Sequence, residues 1–304
     1  MSDTDLTHAT AAPAEVRGRS LWRDAFERFM RNRAAVAALV ILSAMVAVVL
    51  IGPLLAQWSI EEIDWSAMGD IAGLGQPSIA TGHYFGTDDL ARDLYSRTLD
   101  GTRTSLLVGL IGAAVALGVG VAYGTIAGYL GGRTDDFMMR NVDILMAVPG
   151  TLIIILLMVI FERSLFMLFV GLGLTGWLTM SRVVRGQTLS LKNREFVEAA
   201  RAAGVSDGMI IWRHILPNLL GVVIVYASLL VPEMILAESF ISFLGLGVQE
   251  PNTSLGALIA AGAGTMAYGT LWQLAFPLSF FLITIICMFF IGDGLRDALD
   301  PKDR

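Results

Sequence analysis

Residues 104–130 read TSLLVGLIGAAVALGVGVAYGTIAGYL, an uncharged run with no strand-like alternation. At 1.5 Å per residue this run makes about 40 Å of helix, more than the ~30 Å hydrocarbon core of a bilayer. Small residues stand at every fourth position, namely Gly112, Ala116, Gly120, Gly124, Gly128 and Gly132. That spacing puts them on one helix face, where another backbone can approach closely. The approaching helix belongs either to this subunit or to a second one; spacing leaves both open.

Similar stretches lie on either side of it. Runs that reach or approach the roughly 20 residues needed to cross a bilayer cover 34–56, 104–130, 142–161, 164–181, 219–237 and 271–291. The expected fold is therefore an all-α integral membrane protein with six transmembrane helices. Composition agrees: of 304 residues 55% are hydrophobic and only 16% charged, against about 25% charged in a soluble domain. The mean hydropathy is +0.67. The first thirty residues are polar and no small-residue cleavage site follows the first apolar run, so that run is expected to stay as a span. No charge occurs between Glu250 and Asp293, and 255–269 competes as a seventh span. It is short and rich in Gly and Ala, and we read it as a re-entrant or interfacial helix covered by protein.

Arginine and lysine counts orient the chain. With six spans and both termini inside, 17 of the 21 Arg and Lys residues are cytoplasmic, as the positive-inside rule requires. A seventh span would send Arg296, Lys302 and Arg304 outside. The expected organisation is a cytoplasmic tail (1–33), a first helix (34–57), an external loop (58–103), a five-helix core (104–291) and a cytoplasmic tail (292–304). Within the first tail, Leu21, Trp22, Ala25, Phe26, Phe29 and Met30 recur at helical spacing opposite Arg23, Arg28, Arg31 and Arg33. Such a helix suits the inner membrane surface, as anchor or as gate. The outer piece 57–103 carries eight acids and three arginines, with Trp58 and Trp65, and is either a docking surface or a solvated loop.

Several chemistries are excluded. Gly171, Gly173 and Gly176 form a G-x-G-x-x-G, but inside an apolar span with no preceding strand. The only lysines are Lys192 and Lys302 and no phosphate-binding loop exists, so ATP has to be bound elsewhere. His8, His83 and His214 lie in separate segments, Cys287 is the single cysteine, and neither a metal site nor a catalytic nucleophile can be assembled. The net charge of −6 argues against nucleic acid. Among acids in or beside spans, Asp143 reads as interfacial. Glu233, next to Pro232, and Glu238 are candidates for lining a polar pathway, with a structural ion pair the alternative for Glu233.

The longest inner polar piece, 182–213, runs into EFVEAARAAGVSDGMIIWRHILPN at 195–218. Residues 182–203 favour a helix, which Gly204 should break. Ser206 is placed to cap a second short helix containing Met209, Ile210 and Ile211, which should stop at Pro217. Alanines keep this unit thin, while Glu198 and Arg201 can make charge-assisted hydrogen bonds to a soluble partner.

Glu198-Ala199-Ala200, Gly204 and Ile215-Leu216-Pro217 resemble the EAA loop of permease subunits of binding-protein-dependent ABC importers, and 182–218 would be that loop. Three further stretches resemble the dipeptide, oligopeptide and nickel branch, C-type subunit: 83–106, beginning His83-Tyr84-Phe85-Gly86-Thr87-Asp88; Glu238 with 242–249; and 292–301. Ala91 stands where that branch usually has Gly, Glu250 where Pro is common, and Leu255 where Trp is frequent. The resemblance implies a type I importer permease fold in a bacterial inner membrane and a non-catalytic role. It also implies a second homologous permease subunit, two cytoplasmic ATPase subunits that bind ATP and Mg, an external solute-binding protein, and no cofactor on this chain. Glu198, Ala199, Ala200, Arg201, Gly204, Ile215, Leu216 and Pro217 would couple it to the ATPases. Peptides are the implied substrate, with nickel complexes or another small solute as alternatives. An ATP-independent secondary transporter is the rival class, and it would have no use for such a loop.

Overall fold

The computed structural model describes residues 21–161 and 163–299. Arg17, Arg19, Lys302 and Arg304, part of the orientation count, lie outside the described residues. Helix α1 (Leu21–Arg31) is followed by α2 (Arg33–Ile51), which starts where the Asn32 side chain accepts the Ala35 N–H at 3.1 Å. A 3₁₀ turn, Gly52–Leu54, ends this first span. The segment after this turn holds one helical turn, α3 (Ile71–Leu74), and then α4 (Leu94–Leu130) begins. Helix α4 starts ten residues before the expected 104 because Asp93 caps it, accepting the Ser96 N–H at 2.8 Å.

The chain continues through α5 (Gly132–Met146), α6 (Gly150–Ile160), α7 (Leu165–Leu191), α8 (Glu195–Ala202), α9 (Asp207–Ile210), α10 (Leu216–Phe243), α11 (Leu255–Thr265) and α12 (Trp272–Leu299). Among the described residues, five helical segments are long and apolar enough to cross a membrane: Arg33–Leu54, Leu94–Leu130, Leu165–Leu191, Asp207–Phe243 and Trp272–Leu299. The expected third span, 142–161, is not one helix. Helices α5 and α6 meet at 72°, because Pro149 has no N–H to donate and pushes Val148 out of helical geometry. Only by counting this bent pair as one span does the number reach six.

The glycine face of α4 closes on α7 of the same chain. A Cβ at Gly120 would sit 2.7 Å from Met180 Cβ, and one at Gly128 would sit 2.8 Å from the Arg185 carbonyl oxygen. At Gly124 it would run into the Ser181 carbonyl. Gly132 is not part of the stripe: it follows Gly131, the residue that ends α4 at φ +69°, and opens α5. Small residues also seat α11. Gly256 lies against the backbone of Ser239 on α10, and Gly262 would place a Cβ 2.5 Å from the Gln273 backbone on α12. The 255–269 segment is thus an 11-residue helix plus one 3₁₀ turn, Met266–Tyr268, wedged among α4, α10 and α12.

The tail expected at 292 is still helix, since α12 continues to Leu299. Gly294 there touches Ala35 and Phe29, and Phe29, Ala35 and Ala298 are buried together. Helix α1 thereby packs on the end of α12, while Trp22, Phe26 and Met30 stay exposed.

Candidate functional site

The elbow at 191–219 is built on a buried patch. Val197 and Ala200 of α8, Ile210 of α9, and Ile215 and Leu219 pack with Tyr129 of α4 and with Met180 and Val184 of α7. The expected helix over 182–203 is two helices. After Leu191 the chain turns because Lys192 Nζ reaches back to the Gly128 carbonyl at 2.8 Å, satisfying an acceptor in the last turn of α4. Arg194 is extended (φ −85°, ψ 147°), and α8 starts after it.

Gly204 ends α8 as the sequence requires. Its φ is +76°, its N–H bonds the Arg201 carbonyl at 3.0 Å, and the Val205 N–H bonds the Ala200 carbonyl at 3.1 Å. This pair of bonds is the Schellman arrangement that closes a helix on a left-handed glycine. Ser206 then takes the extended N-cap conformation (ψ 150°), although its side chain makes no capping hydrogen bond. Asp207 accepts instead from Tyr129 O–H at 2.7 Å, and the Arg201 guanidinium sits 6.0 Å from the Tyr129 ring centre.

The short helix does not stop at Pro217. A wide π-type turn, Ile211–Ile215, carries α9 into α10, with the Leu216 N–H bonding the Ile211 carbonyl. Pro217 falls in the first turn of α10, where a missing N–H matters least. One helical segment therefore runs from Asp207 to Phe243. Of the residues singled out from sequence, Ala200 and Ile215 are buried, Leu216 is half-buried, and Glu198, Ala199, Arg201, Gly204 and Pro217 face out. The sequence reading missed Trp212, which is 73% exposed. With Phe196 and Met209, also exposed, it puts three large apolar side chains on the outside of the elbow.

Glu233 and Glu238, one helical turn and a half apart on α10, have opposite surroundings. Glu238 is fully buried. Its carboxylate accepts from Ser242 Oγ at 2.7 Å, Ser105 Oγ at 3.0 Å and Ser239 Oγ at 3.1 Å. Ser105 Oγ in turn accepts the Leu255 N–H at 3.2 Å. This buried carboxylate joins α10, α4 and the start of α11, and its hydroxyl partners offset the cost of removing it from water. Glu233 is exposed, and no hydrogen bond or ion pair to it occurs among the described residues.

At the opposite end, the segment before α4 forms a polar cap. Buried His83 stacks on Trp58 at 4.5 Å between ring centres, and its Nδ1 lies 2.9 Å from Asp93 Oδ1. Asp88 sits behind two arginines: Arg92 Nε donates to its Oδ2 at 2.8 Å, and Arg97 Nε makes an ionic contact at 3.3 Å. In front, Glu250 accepts from Arg92 Nη1 at 2.8 Å, Arg92 Nη2 at 3.2 Å and Arg97 Nη2 at 2.8 Å. Burial opposes ionisation of Glu250, but the hydrogen bonds and charges of Arg92 and Arg97 outweigh it and hold the carboxyl below its usual range. For Asp88 burial wins, and its carboxyl is raised despite both arginines.

A chain of packed membrane helices, bearing a polar cap at one end and an apolar elbow at the other, defines a multi-span transport component. Residues 120–304 match the family model described as binding-protein-dependent transport system inner membrane component. Residues 20–77 match the N-terminal TM domain of oligopeptide transport permease C. The chain belongs to this family of inner membrane permease components. It is similar to the oligopeptide transport system permease protein OppC of Escherichia coli K12, at 53% identity over 95% of this chain and 94% of the relative. The OppC of Haemophilus influenzae is 50% identical over 95% and 91% of the two chains. The dipeptide transport system permease protein DppC of Bacillus subtilis is 42% identical over 94% and 87%.

Proposed function

We propose that this chain is the C-type permease subunit of a peptide-importing ABC transporter. It forms half of the pathway with a second, homologous subunit, and both termini are cytoplasmic. An external solute-binding protein delivers the peptide, and two ATPase subunits grip the elbow from inside. The chain itself does no chemistry; ATP and Mg belong to the ATPases.

The observation that carries this reading is the elbow's construction. A rigid turn at Gly204 presents Phe196, Met209 and Trp212 to water, and exposed apolar clusters of this kind mark protein contacts. Glu198 and Arg201, exposed beside them, add polar contacts at the rim. Closure of the ATPase pair pushes on α8 and α9, and the unbroken path from Asp207 to Phe243 carries that push across the membrane. Glu233 fits the same scheme: an unpaired carboxylate on a membrane helix needs a water-filled path or a partner subunit.

The test is reconstitution of the assembly with and without Trp212→Ala. Because Trp212 is exposed, stability should change by less than about 0.5 kcal/mol. Co-purification with the ATPase subunits and peptide-stimulated ATP hydrolysis should fall several-fold. Unchanged hydrolysis in a well-assembled Trp212→Ala complex would remove the elbow from the coupling path. Solute uptake by vesicles holding this permease without ATPases would favour the secondary-transporter class instead.

A further inference from the structure

The outer arginine pair is built to hold a carboxylate, and the one it holds is loosely kept. Arg92 and Arg97 are anchored from behind by Asp88, with side chains only 12% and 4% exposed. Glu250, which fills the front, is 59% exposed. The guanidinium forks are thus fixed in the protein, while the carboxylate in front of them is the solvent-facing partner. With Asp88 alone, two cations would have one hydrogen-bonded anion between them; Glu250 makes up the difference.

A cavity of about 210 Å³ adjoins the forks, lined among others by Asn252, Thr253 and Gln273. It is smaller than the ~300–1,000 Å³ of pockets that enclose a whole small ligand. One terminal residue of a longer ligand would fill it. Asp89 is exposed at its rim and makes no hydrogen bond to either arginine among the described residues.

We propose that Arg92 and Arg97 form a receiving site for the C-terminal carboxylate of an entering peptide, and that Glu250 is its resident occupant, displaced on entry. The proposal rests on the peptide reading above. Peptides differ in every side chain but share a terminal carboxylate, and paired guanidinium forks read that group with directed, charge-assisted hydrogen bonds. Exchange is easy because the incoming carboxylate makes the bonds that Glu250 gives up, and an ion pair as exposed as Glu250's contributes little to stability. Displacement frees the loop between α10 and α11 from the cap, so arrival of a peptide end is felt at the start of α11.

The experiment uses the complete reconstituted assembly with its ATPases and binding protein, and compares uptake of trialanine with that of trialanine amide. The readout is the ratio of the two uptake rates in wild type and in Glu250→Gln, which cancels any preference of the binding protein. Removing the resident carboxylate should raise the ratio at least three-fold through a lower KM for the free acid. Arg92→Gln should bring the ratio at least three-fold below the wild-type value. An unchanged ratio in Glu250→Gln, or equal loss of both substrates, would make Glu250 a fixed tether and overturn the proposal. Should Glu250→Gln fail to assemble, Glu250→Asp, a shorter and weaker occupant, is read by the same criteria. Absence of uptake of either peptide by the wild type would instead count against the peptide reading itself.

Discussion

The two ends of the molecule are held together by different physics. The polar cap is a knot of charges: Asp88, Arg92, Arg97 and Glu250 interlock, and His83 is buried against Asp93. The elbow rests on an apolar patch, with the Tyr129–Asp207 hydrogen bond as a polar tie to α4. The part of the knot made by Asp88, Arg92 and Arg97 is nearly buried, costly to break and so defines a single shape, while Glu250 closes it from the exposed side. An apolar seat tolerates sliding and leaves side chains outside for another protein. In the proposed mechanism the buried part of the cap stays and the elbow moves.

Substitutions can test that contrast. The largest effect is expected at Asp88→Ala, which leaves two nearly buried guanidiniums without their rear anion. Breaking a buried ion pair from one side costs about 3–5 kcal/mol, and thermal unfolding of the purified protein should drop accordingly. A loss below 1 kcal/mol would show that the cap is not the rigid end. Gly204→Val comes next. Nothing lies within 4 Å of a Cβ there, so the cost is backbone strain at positive φ, about 1–3 kcal/mol, confined to the elbow. Peptide-stimulated ATP hydrolysis should fall while the global unfolding temperature stays near wild type.

Ala91→Gly should have the opposite sign. Ala91 sits at φ +57°, and glycine at such a position relieves about 1 kcal/mol. A small rise in unfolding temperature is expected, and a fall would show that the alanine methyl packs usefully in its buried site. The smallest effect is acid sensitivity. Glu250 has a lowered folded-state value, so its tether contributes at neutral pH and fades as the pH falls through that value, below the ordinary ~4.3. Asp88, raised by burial, works the other way and offsets part of the loss. Between pH 7 and pH 4 the wild type should therefore lose slightly more stability than Glu250→Gln; equal losses would take Glu250 out of the cap.

Much of this was legible from residue order. Local signals carried five of the six expected spans, the left-handed Gly204 and the shortness of 255–269, because hydropathy and glycine conformation act within a few residues. The alanine at position 91, in a place where the importer branch usually has glycine, stands at a positive φ in the structure. What residue order hid was how helices start, bend and pair. Pro149 breaks a span whereas Pro217 does not, since only the latter follows a π-type turn that sets it in a first helical turn. Lys192 looked like part of a continuing helix because the carbonyl it seeks, Gly128, is 64 positions away. Arg92 and Glu250 are 158 apart, and single-chain periodicity holds no trace of their meeting.

Helix α4 and the segment from Asp207 to Phe243 each run 37 residues, about 55 Å, and cross the membrane in opposite senses. They are fastened toward both extremities, by Tyr129 to Asp207 on one side and by buried Ser105 to Glu238 on the other. Two long helical segments joined by a rung at each end make a frame that shears more readily than it stretches. A tilt imposed on the lower rung reaches the upper one through the backbone of these segments, less whatever bending the π-type turn and Pro232 absorb.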